Sequence, residues 1–280
     1  MYIPAHFAVD DATVRDLLAR HGAADLITLT EDGLLATMLP FAYEPAAPGE
    51  SSAHGALYGH VARNNDQWRK PALGESLAIV RGPDAYVSPS WYAAKAEHGR
   101  VVPTWNYVTA HVYGRLVVHD DPAWVEDVVR RLTAKHEAAR VAVPGQAPEW
   151  AVDDAPRAFI EGQLRAIVGL ELQITRIEAK AKLSQNRPVA DIPGVVAGLS
   201  GRGDDRSAEA VEHANEARAS QDGASQDHAS QDRASRDRAS RDAPLMMSVP
   251  GSARIGTSVT AGTPRDRRRA GWREPPPRCP

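Results

Sequence analysis

The feature that most constrains this chain is an abrupt change of composition near residue 200. Of the 16 aromatic residues among the 280, 15 lie before that point and only Trp272 follows it. Half of the 28 arginines lie in the last 80 residues, whereas the last lysine is Lys182. A segment with few bulky apolar side chains cannot offset the entropy lost on folding. We therefore predict a folded domain over residues 1–200 and a disordered low-complexity tail over 201–280.

The tail contains a five-residue repeat between Ala219 and Ala243, which reads ASQDG, ASQDH, ASQDR, ASRDR and ASRDA. Its period matches no solenoid, and it offers no apolar position for stacking. Residues 1–200 carry 19 Lys and Arg against 24 Asp and Glu, a net charge of −5. An acidic domain is not typical of a protein that binds nucleic-acid phosphates.

Several classes of site are excluded by the residues that are present. The only cysteine, Cys279, is one residue from the end, which excludes an internal disulfide, a cysteine zinc site and a thiol nucleophile in the domain. No serine-hydrolase elbow, H-E-x-x-H motif, P-loop or G-x-G-x-x-G fingerprint occurs, so we predict no metal. The first residues do not form a signal peptide, and no apolar run approaches about 18 residues. We expect a cytoplasmic, soluble protein without a membrane partner.

Short strands separated by turn residues dominate the domain. Asp32-Gly33 predicts a hairpin, and Gly82-Pro83-Asp84 predicts a second one. Residues 105–119 read as a long strand with a bulge at Gly114, and residues 169–177 as the last strand. Helices are predicted at 63–68, 121–140 and 156–167. The fold class is therefore mainly β with peripheral helices (α+β), arranged as a small closed barrel.

The block Gly59–Trp68, GHVARNNDQW, ends a strand and precedes a predicted helix. Free N–H groups at a helix start, together with Arg63, would form an anion site, and Asn64 or Asn65 would cap the turn. His60 lies at the same strand end. The alternative is an ordinary capped helix with a surface arginine.

Two further blocks combine aromatic, amide and cationic side chains. Trp105, Asn106 and Tyr107 would hold a planar heterocycle by stacking and by hydrogen bonds to its edge, or else pack a core or a subunit interface. Residues 180–187, KAKLSQNR, follow a strand and combine three cations with three short polar side chains, namely Lys180, Lys182 and Arg187 with Ser184, Gln185 and Asn186. Cations and short donors suit a phosphate, although a plain polar connection is the alternative.

Together these blocks resemble the PaiB-like family of FMN-binding negative transcriptional regulators. The resemblance covers about residues 1–200 and rests on blocks in the same order, which read MYIPAHF, GHVAR with Asn65, SPSWY, VPTWNY and KLSQNR. The tail lies outside it.

The resemblance implies a split β-barrel of the FMN-binding kind that forms a homodimer with flavin at the subunit interface. It makes FMN the expected cofactor, with Arg63 and Lys182 as candidate phosphate ligands. Lys180 or Arg187 is an alternative to Lys182 in this role. The complete set of candidate cofactor-binding residues is His60, Arg63, Asn64, Trp105, Asn106, Tyr107, Lys182, Ser184 and Gln185.

Three functions follow as hypotheses. The first is an FMN-binding homodimer that acts as a negative transcriptional regulator through its flavin. The second is a flavin-dependent oxidoreductase of unknown substrate, related to pyridoxamine-phosphate oxidases. The third is direct DNA binding, for which the sequence offers no convincing helix-turn-helix. A catalytic residue is not assigned.

Overall fold

A computed structural model describes residues 1–46, 54–140 and 147–216. Of the tail predicted over 201–280, residues 217–280, which include the five-residue repeat at 219–243, lie outside these residues. The described strands are β1 Ala23–Thr30, β2 Gly33–Pro40, β3 Ala42–Glu44, β4 Ala56–Ala62, β5 Ser76–Val87, β6 Thr104–His119 and β7 Ile167–Lys182. The described helices are α1 Asp11–Arg20, α2 Ala93–His98, α3 Pro122–Ala138, α4 Arg157–Leu164, α5 Ile192–Ser200 and α6, residues 205–216.

The seven strands form one antiparallel sheet in the order β2-β1-β5-β6-β7-β4-β3. The sheet curls so that its two ends approach each other. A Cβ added to Gly59 on β4 would lie 2.9 Å from the side chain of Leu39 and from the carbonyl of Pro40 on β2. No ladder joins β2 to β3, so the barrel is split along this seam. The mainly β fold with peripheral helices is confirmed, and it is a split β-barrel.

The first predicted hairpin is confirmed and the second is wrong. Thr30 pairs with Gly33, so the Asp32-Gly33 turn joins β1 to β2 as expected. Gly82-Pro83 instead forms a bulge within the continuous strand β5, where the register with β6 shifts between Arg81 and Asp84. Both halves of β5 pair with the same neighbour, and this tertiary pairing overrides the local turn preference.

The two longest strands, β6 and β7, pair along their whole length and form the centre of the sheet. The predicted irregularity at Gly114 is confirmed, because the register shifts after Tyr113 and Thr175 is left without a pair. A side chain at position 114 would lie 2.3 Å from the carbonyl oxygen of Gln173. Strand β7 is longer than predicted, reaching Lys182 rather than Ile177.

The predicted helix at residues 63–68 is wrong, whereas the helix after Asp121 is confirmed. Only a 3₁₀ turn, Asp66–Trp68, follows β4, and Asn65 caps it. Helix α3 begins as expected, because the Asp121 carboxylate accepts hydrogen bonds from the backbone N–H groups of Ala123 and Trp124. Among the described helices, none is both long and apolar enough to cross a bilayer.

Two main apolar clusters support the site region. Inside the barrel, one face of every long strand is buried, with Leu26, Val112 and Leu172 fully enclosed. The second cluster lies under α5 and α6 and includes Val195, Leu199, Val211 and other apolar side chains. It joins these helices to the ends of β5 and β7.

Helix α6 places the end of the folded region beyond the predicted boundary at residue 200. Ala208 and Val211 are buried in the second cluster. The side chain of Asn215 is also buried and donates a hydrogen bond to the carbonyl of Leu183. The ordered chain therefore extends at least to Glu216, and the division at residue 200 requires this correction.

Candidate functional site

The structure divides the nine predicted site residues into two groups at opposite ends of β7. His60 pairs with Gly169 near the start of β7, and Arg63 and Asn64 follow on the chain. Tyr107 pairs with Lys182 at the other end. Thirteen positions separate Gly169 from Lys182, which is about 40 Å of strand at roughly 3.3 Å per residue. Within one chain, Arg63 and Lys182 therefore cannot bind the same phosphate.

Arg63 is engaged in internal contacts. Its Nε donates to the carbonyl of Arg165 at 2.7 Å, and Nη2 donates to the carbonyl of Ile167 at 3.1 Å. Its two terminal nitrogens also bind both carboxylate oxygens of Asp120, which raises the pKa of Arg63 and lowers that of Asp120. The predicted helix-terminus anion site is absent because no helix begins here. Arg63 instead connects the end of β4 to Asp120 and to the backbone at Arg165 and Ile167.

His60 and Asn64 are the other two predicted site residues at this end of β4. The Nδ1 atom of His60 is buried without a hydrogen-bond partner among the described residues, and burial lowers the pKa of His60. Asn65, rather than Asn64, caps the following turn by accepting the backbone N–H of Gln67. This group offers no cation free of a carboxylate, so it does not fit a phosphate by itself.

The other six residues lie together where β6 begins and β7 ends. Asn106 and Ser184 are both about 98–99 % buried, and the Asn106 amide donates to the Ser184 hydroxyl at 3.0 Å. Ser184 adopts a left-handed backbone with φ of 69°, which is uncommon outside glycine. This buried pair fixes the geometry of the turn that leaves β7.

Lys182 presents its ammonium group at this end of the strand. Its Nζ donates to the Thr104 hydroxyl at 2.6 Å and to the carbonyl of Trp105 at 2.9 Å. The Tyr107 ring centre is 6.0 Å away. Burial lowers the pKa of Lys182. Among the described residues it forms no ion pair, so its charge is uncompensated.

Lys180, which the sequence offered as a substitute for Lys182 at the phosphate, lies in the same region. It is 8 % exposed, and three aromatic rings surround its Nζ at 5.4–6.0 Å, from Tyr107, Phe7 and Tyr2. It too forms no ion pair in the described part of the chain. Its position two residues before Lys182 places both ammonium groups on one face of β7. The spacing of two residues between the lysines is visible in the sequence and predicts this shared face on a strand.

Trp105 and Gln185 complete the group in different ways. Trp105 is 51 % exposed, and its indole N–H donates to Asp84 at 2.8 Å. The Gln185 amide donates to the carbonyl of Ala181, and its oxygen accepts the backbone N–H of Leu183. Gln185 therefore closes the turn, whereas Trp105 presents an open aromatic face to solvent.

The donor set at the end of β7 fits FMN. The ammonium group of Lys182, uncompensated among the described residues, suits a phosphate, and an exposed indole and a phenol ring provide flat surfaces for an isoalloxazine. When bound, the flavin would supply redox chemistry that none of these side chains possesses. Lys182, with one ammonium hydrogen left to donate, would orient the phosphate.

Comparison with known proteins bears on the family and the cofactor. The family model described as "Putative FMN-binding domain" matches residues 1–176. Protease synthase and sporulation protein PAI 2 of Bacillus subtilis is 30% identical over 214 residues, covering 76% of this chain and 95% of that protein. An uncharacterized protein of Emericella nidulans is 28% identical over 232 residues, covering 73% and 92%. The predicted PaiB-like family and FMN as the cofactor are confirmed.

Solved structures of similar shape are more distant. The flavocytochrome Anf3 of Azotobacter vinelandii has 15% identity and a TM-score of 0.41, covering 62% of this chain and 68% of its own. A conserved hypothetical protein of Mycobacterium tuberculosis has 11% identity and a TM-score of 0.43, covering 67% and 94%. Because both TM-scores are below 0.5, the fold assignment depends on strand order and on the family match.

Proposed function

This chain belongs to the FMN-binding domain family that matches residues 1–176, and from that premise we propose that it is an FMN-binding homodimer with a regulatory role. The end of β7 holds the flavin phosphate, and Lys182 is its principal ligand. Trp105 and Tyr107 lie beside the isoalloxazine, while Asn106 and Ser184 keep the turn in place.

The observation that carries this proposal is the pair of lysines without counterions. A buried or half-buried ammonium group without an anion is costly, so such groups are usually paired. Lys180 and Lys182 project from the same face of β7, and each also repels the other. A phosphate with close to two negative charges at neutral pH would pair with Lys182 and offset its repulsion with Lys180.

Dimerisation is supported by the outer face of β1 and β2. Leu34 and Met38 on the edge strand β2 are 72 % and 69 % exposed, and Leu29 pairs with Leu34 on the same face. Adjacent exposed apolar side chains on a sheet edge favour association. We propose that this face packs against a second copy.

Flavin affinity tests the phosphate assignment. The purified protein is titrated with FMN and with riboflavin, which lacks the phosphate, and binding is followed by the visible absorption of the flavin. Replacing Lys182 with Met keeps the apolar stem and removes the charge. Because a charge-assisted hydrogen bond contributes about 1.5–3 kcal/mol, Lys182→Met should weaken FMN roughly 10- to 150-fold and riboflavin far less.

A lysine elsewhere provides the matched control. Lys95 lies on α2, outside the proposed site, and its Nζ donates to the Ser90 hydroxyl, so Lys95→Met should leave both affinities unchanged. Equal losses for FMN and riboflavin in Lys182→Met would reject the phosphate assignment. Absence of any flavin binding by the unchanged protein would reject the proposed function itself.

Sedimentation tests the dimer independently of flavin. Leu34→Glu combined with Met38→Glu should convert a dimer into a monomer at micromolar concentration. Phe159 on α4 is 57 % exposed and lies away from the sheet edge, so Phe159→Glu is the control. A dimer that persists in the double variant would place the interface elsewhere.

The regulatory role rests on the family resemblance and on the sporulation and protease-synthesis functions named for the Bacillus relative. Bleaching of the bound flavin by NADH or NADPH would instead support a flavin-dependent oxidoreductase. Salt-sensitive, sequence-selective retention of DNA would support direct DNA binding. Each measurement uses the full chain loaded with FMN.

A further inference from the structure

The first residues of the chain lie against the end of β7, next to the proposed flavin site. Ala8 forms an isolated antiparallel bridge with Lys180. Residues Ala5–Phe7 form a 3₁₀ turn, and Phe7 is 5 % exposed. The block MYIPAHF therefore has a defined position in the fold, yet none of its residues belongs to the predicted site.

Lys180 contacts this N-terminal segment through its backbone and its ammonium group. Its Nζ donates to the carbonyl of Tyr2 at 3.3 Å, and its ammonium group lies between the rings of Tyr2, Phe7 and Tyr107. Contact between an ammonium ion and an aromatic face is attractive, and more so where water is excluded. One buried cation thus connects β6, β7 and residues 2–7.

Tyr2 differs from the other two rings because it is 82 % exposed. The exposed Tyr2 ring lies beside Lys180, which is two positions before Lys182 on the same face of β7. A planar anionic ligand whose phosphate contacts Lys182 would extend past Lys180 towards this ring. Aromatic rings prefer offset stacking on such planar groups.

We propose that residues Tyr2–Phe7 form a wall of the flavin site, that Tyr2 contacts the isoalloxazine, and that Lys180 is the positioning residue that holds this wall in place. This inference rests on the proposed function and extends it to a segment and a cation outside the predicted site. Lys182 recognises the phosphate, whereas Tyr2 and Lys180 act on the ring end of the ligand.

The test compares ring and phosphate recognition. Tyr2→Ala should weaken FMN and riboflavin alike, by about 2- to 10-fold, because a stacked aromatic pair contributes roughly 0.5–1.5 kcal/mol. Lys180→Met should weaken both ligands similarly, since it releases the segment that carries Tyr2. The double variant should lose little more than either single variant, because both changes remove the same contact.

Amide hydrogen exchange gives a readout independent of affinity. Residues 2–8 should exchange more slowly when FMN or riboflavin is bound, and this protection should disappear in Lys180→Met. Phe159→Ala, which removes an exposed ring on α4, should change neither affinity nor exchange at residues 2–8.

Three outcomes would overturn the inference. They are unchanged flavin affinity in Tyr2→Ala, additive losses in the double variant, or no ligand-dependent protection of residues 2–8. Normal FMN binding that still depends on Lys182 would then leave the proposed function standing. Failure of the unchanged protein to bind any flavin would instead remove the premise.

Discussion

Cutting the chain after Leu199 is expected to destabilise it, because α6 is part of the folded domain. Sequence composition predicts that such a cut is harmless. In the structure, Val211 is fully buried and Ala208 is 3 % exposed, and both pack against α5 and the end of β7. The cut removes both side chains and exposes the surface of Leu199 itself.

The magnitude follows from the groups that are lost. A fully buried valine contributes about 1.5–3 kcal/mol, and a buried alanine roughly 0.8 kcal/mol. Removal of Asn215 also takes a donor from the buried carbonyl of Leu183, at a cost of about 1–3 kcal/mol. Together these groups contribute about 3–7 kcal/mol, and we expect a net loss in the lower part of that range, about 3–5 kcal/mol, because ordering α6 costs conformational entropy. For a domain of this size, that corresponds to a fall in Tm of roughly 6–20 °C.

Thermal unfolding of two truncated chains, followed by circular dichroism, provides the assay. A chain that ends at Glu216 keeps every α6 contact described above and should melt with the full chain. The chain that ends at Leu199 should melt well below both. Val211→Ala in the full chain should reproduce part of this effect, about 2 kcal/mol. If the chain ending at Leu199 melted within about 2 °C of the full chain, α6 would contribute nothing and the reasoning would be refuted.

Three further predictions concern packing, protonation and the ion pair between Arg63 and Asp120. Gly198→Ala should destabilise the protein by about 1–3 kcal/mol, because the new Cβ would lie 2.3 Å from the indole ring of Trp91. Gly162→Ala is the control, because its new Cβ would have its nearest contact at 3.9 Å, and this change should raise the stability slightly in thermal unfolding. Burial lowers the pKa of Lys182 from 10.5, so the preference for FMN over riboflavin should fall as the pH rises through that lowered pKa; titrations of Lys182→Arg should retain the preference to higher pH. The stability of the protein without ligand should change in the opposite direction with pH. Burial of the charged Lys182 destabilises the fold fully below the lowered pKa, and this destabilisation disappears as the pH rises towards 10.5. Arg63→Ala should lower Tm without changing the FMN-to-riboflavin affinity ratio, and Asp120→Asn should lower Tm in the same direction.

Local signals in the sequence predicted those elements whose structure depends on neighbouring residues. The Asp32-Gly33 turn and the Asp121 cap each need only a few adjacent positions, and both are present. The Gly82-Pro83 pair carries the same local signal as a turn, but the pairing of β5 with β6 converts it into a bulge. No local pattern reports which strand a residue will pair with.

The candidate site was predicted in part. The six residues from the VPTWNY and KLSQNR blocks lie together at the end of β7, and Asn106 and Ser184 share a hydrogen bond. The grouping of Arg63 with Lys182 failed because the length of a single strand separates them, and no sequence spacing reveals that distance. Helix α6 was missed because its buried face consists of small and polar side chains, such as Ala208 and Asn215, which resemble the tail in composition.

Strand β7 also determines where the chain tolerates a change of length. Its alternation puts Lys180 and Lys182 on the outer face and Ala181 on the inner one. Deleting one residue between the bulge at Thr175 and Lys180 would turn Lys180 into the barrel cluster that contains Ala179 and Lys182 into the cluster under α5 and α6 that contains Ala181. Natural variants of this domain should therefore keep the number of residues between the bulge and Lys182 constant, even where the identities of the intervening side chains drift.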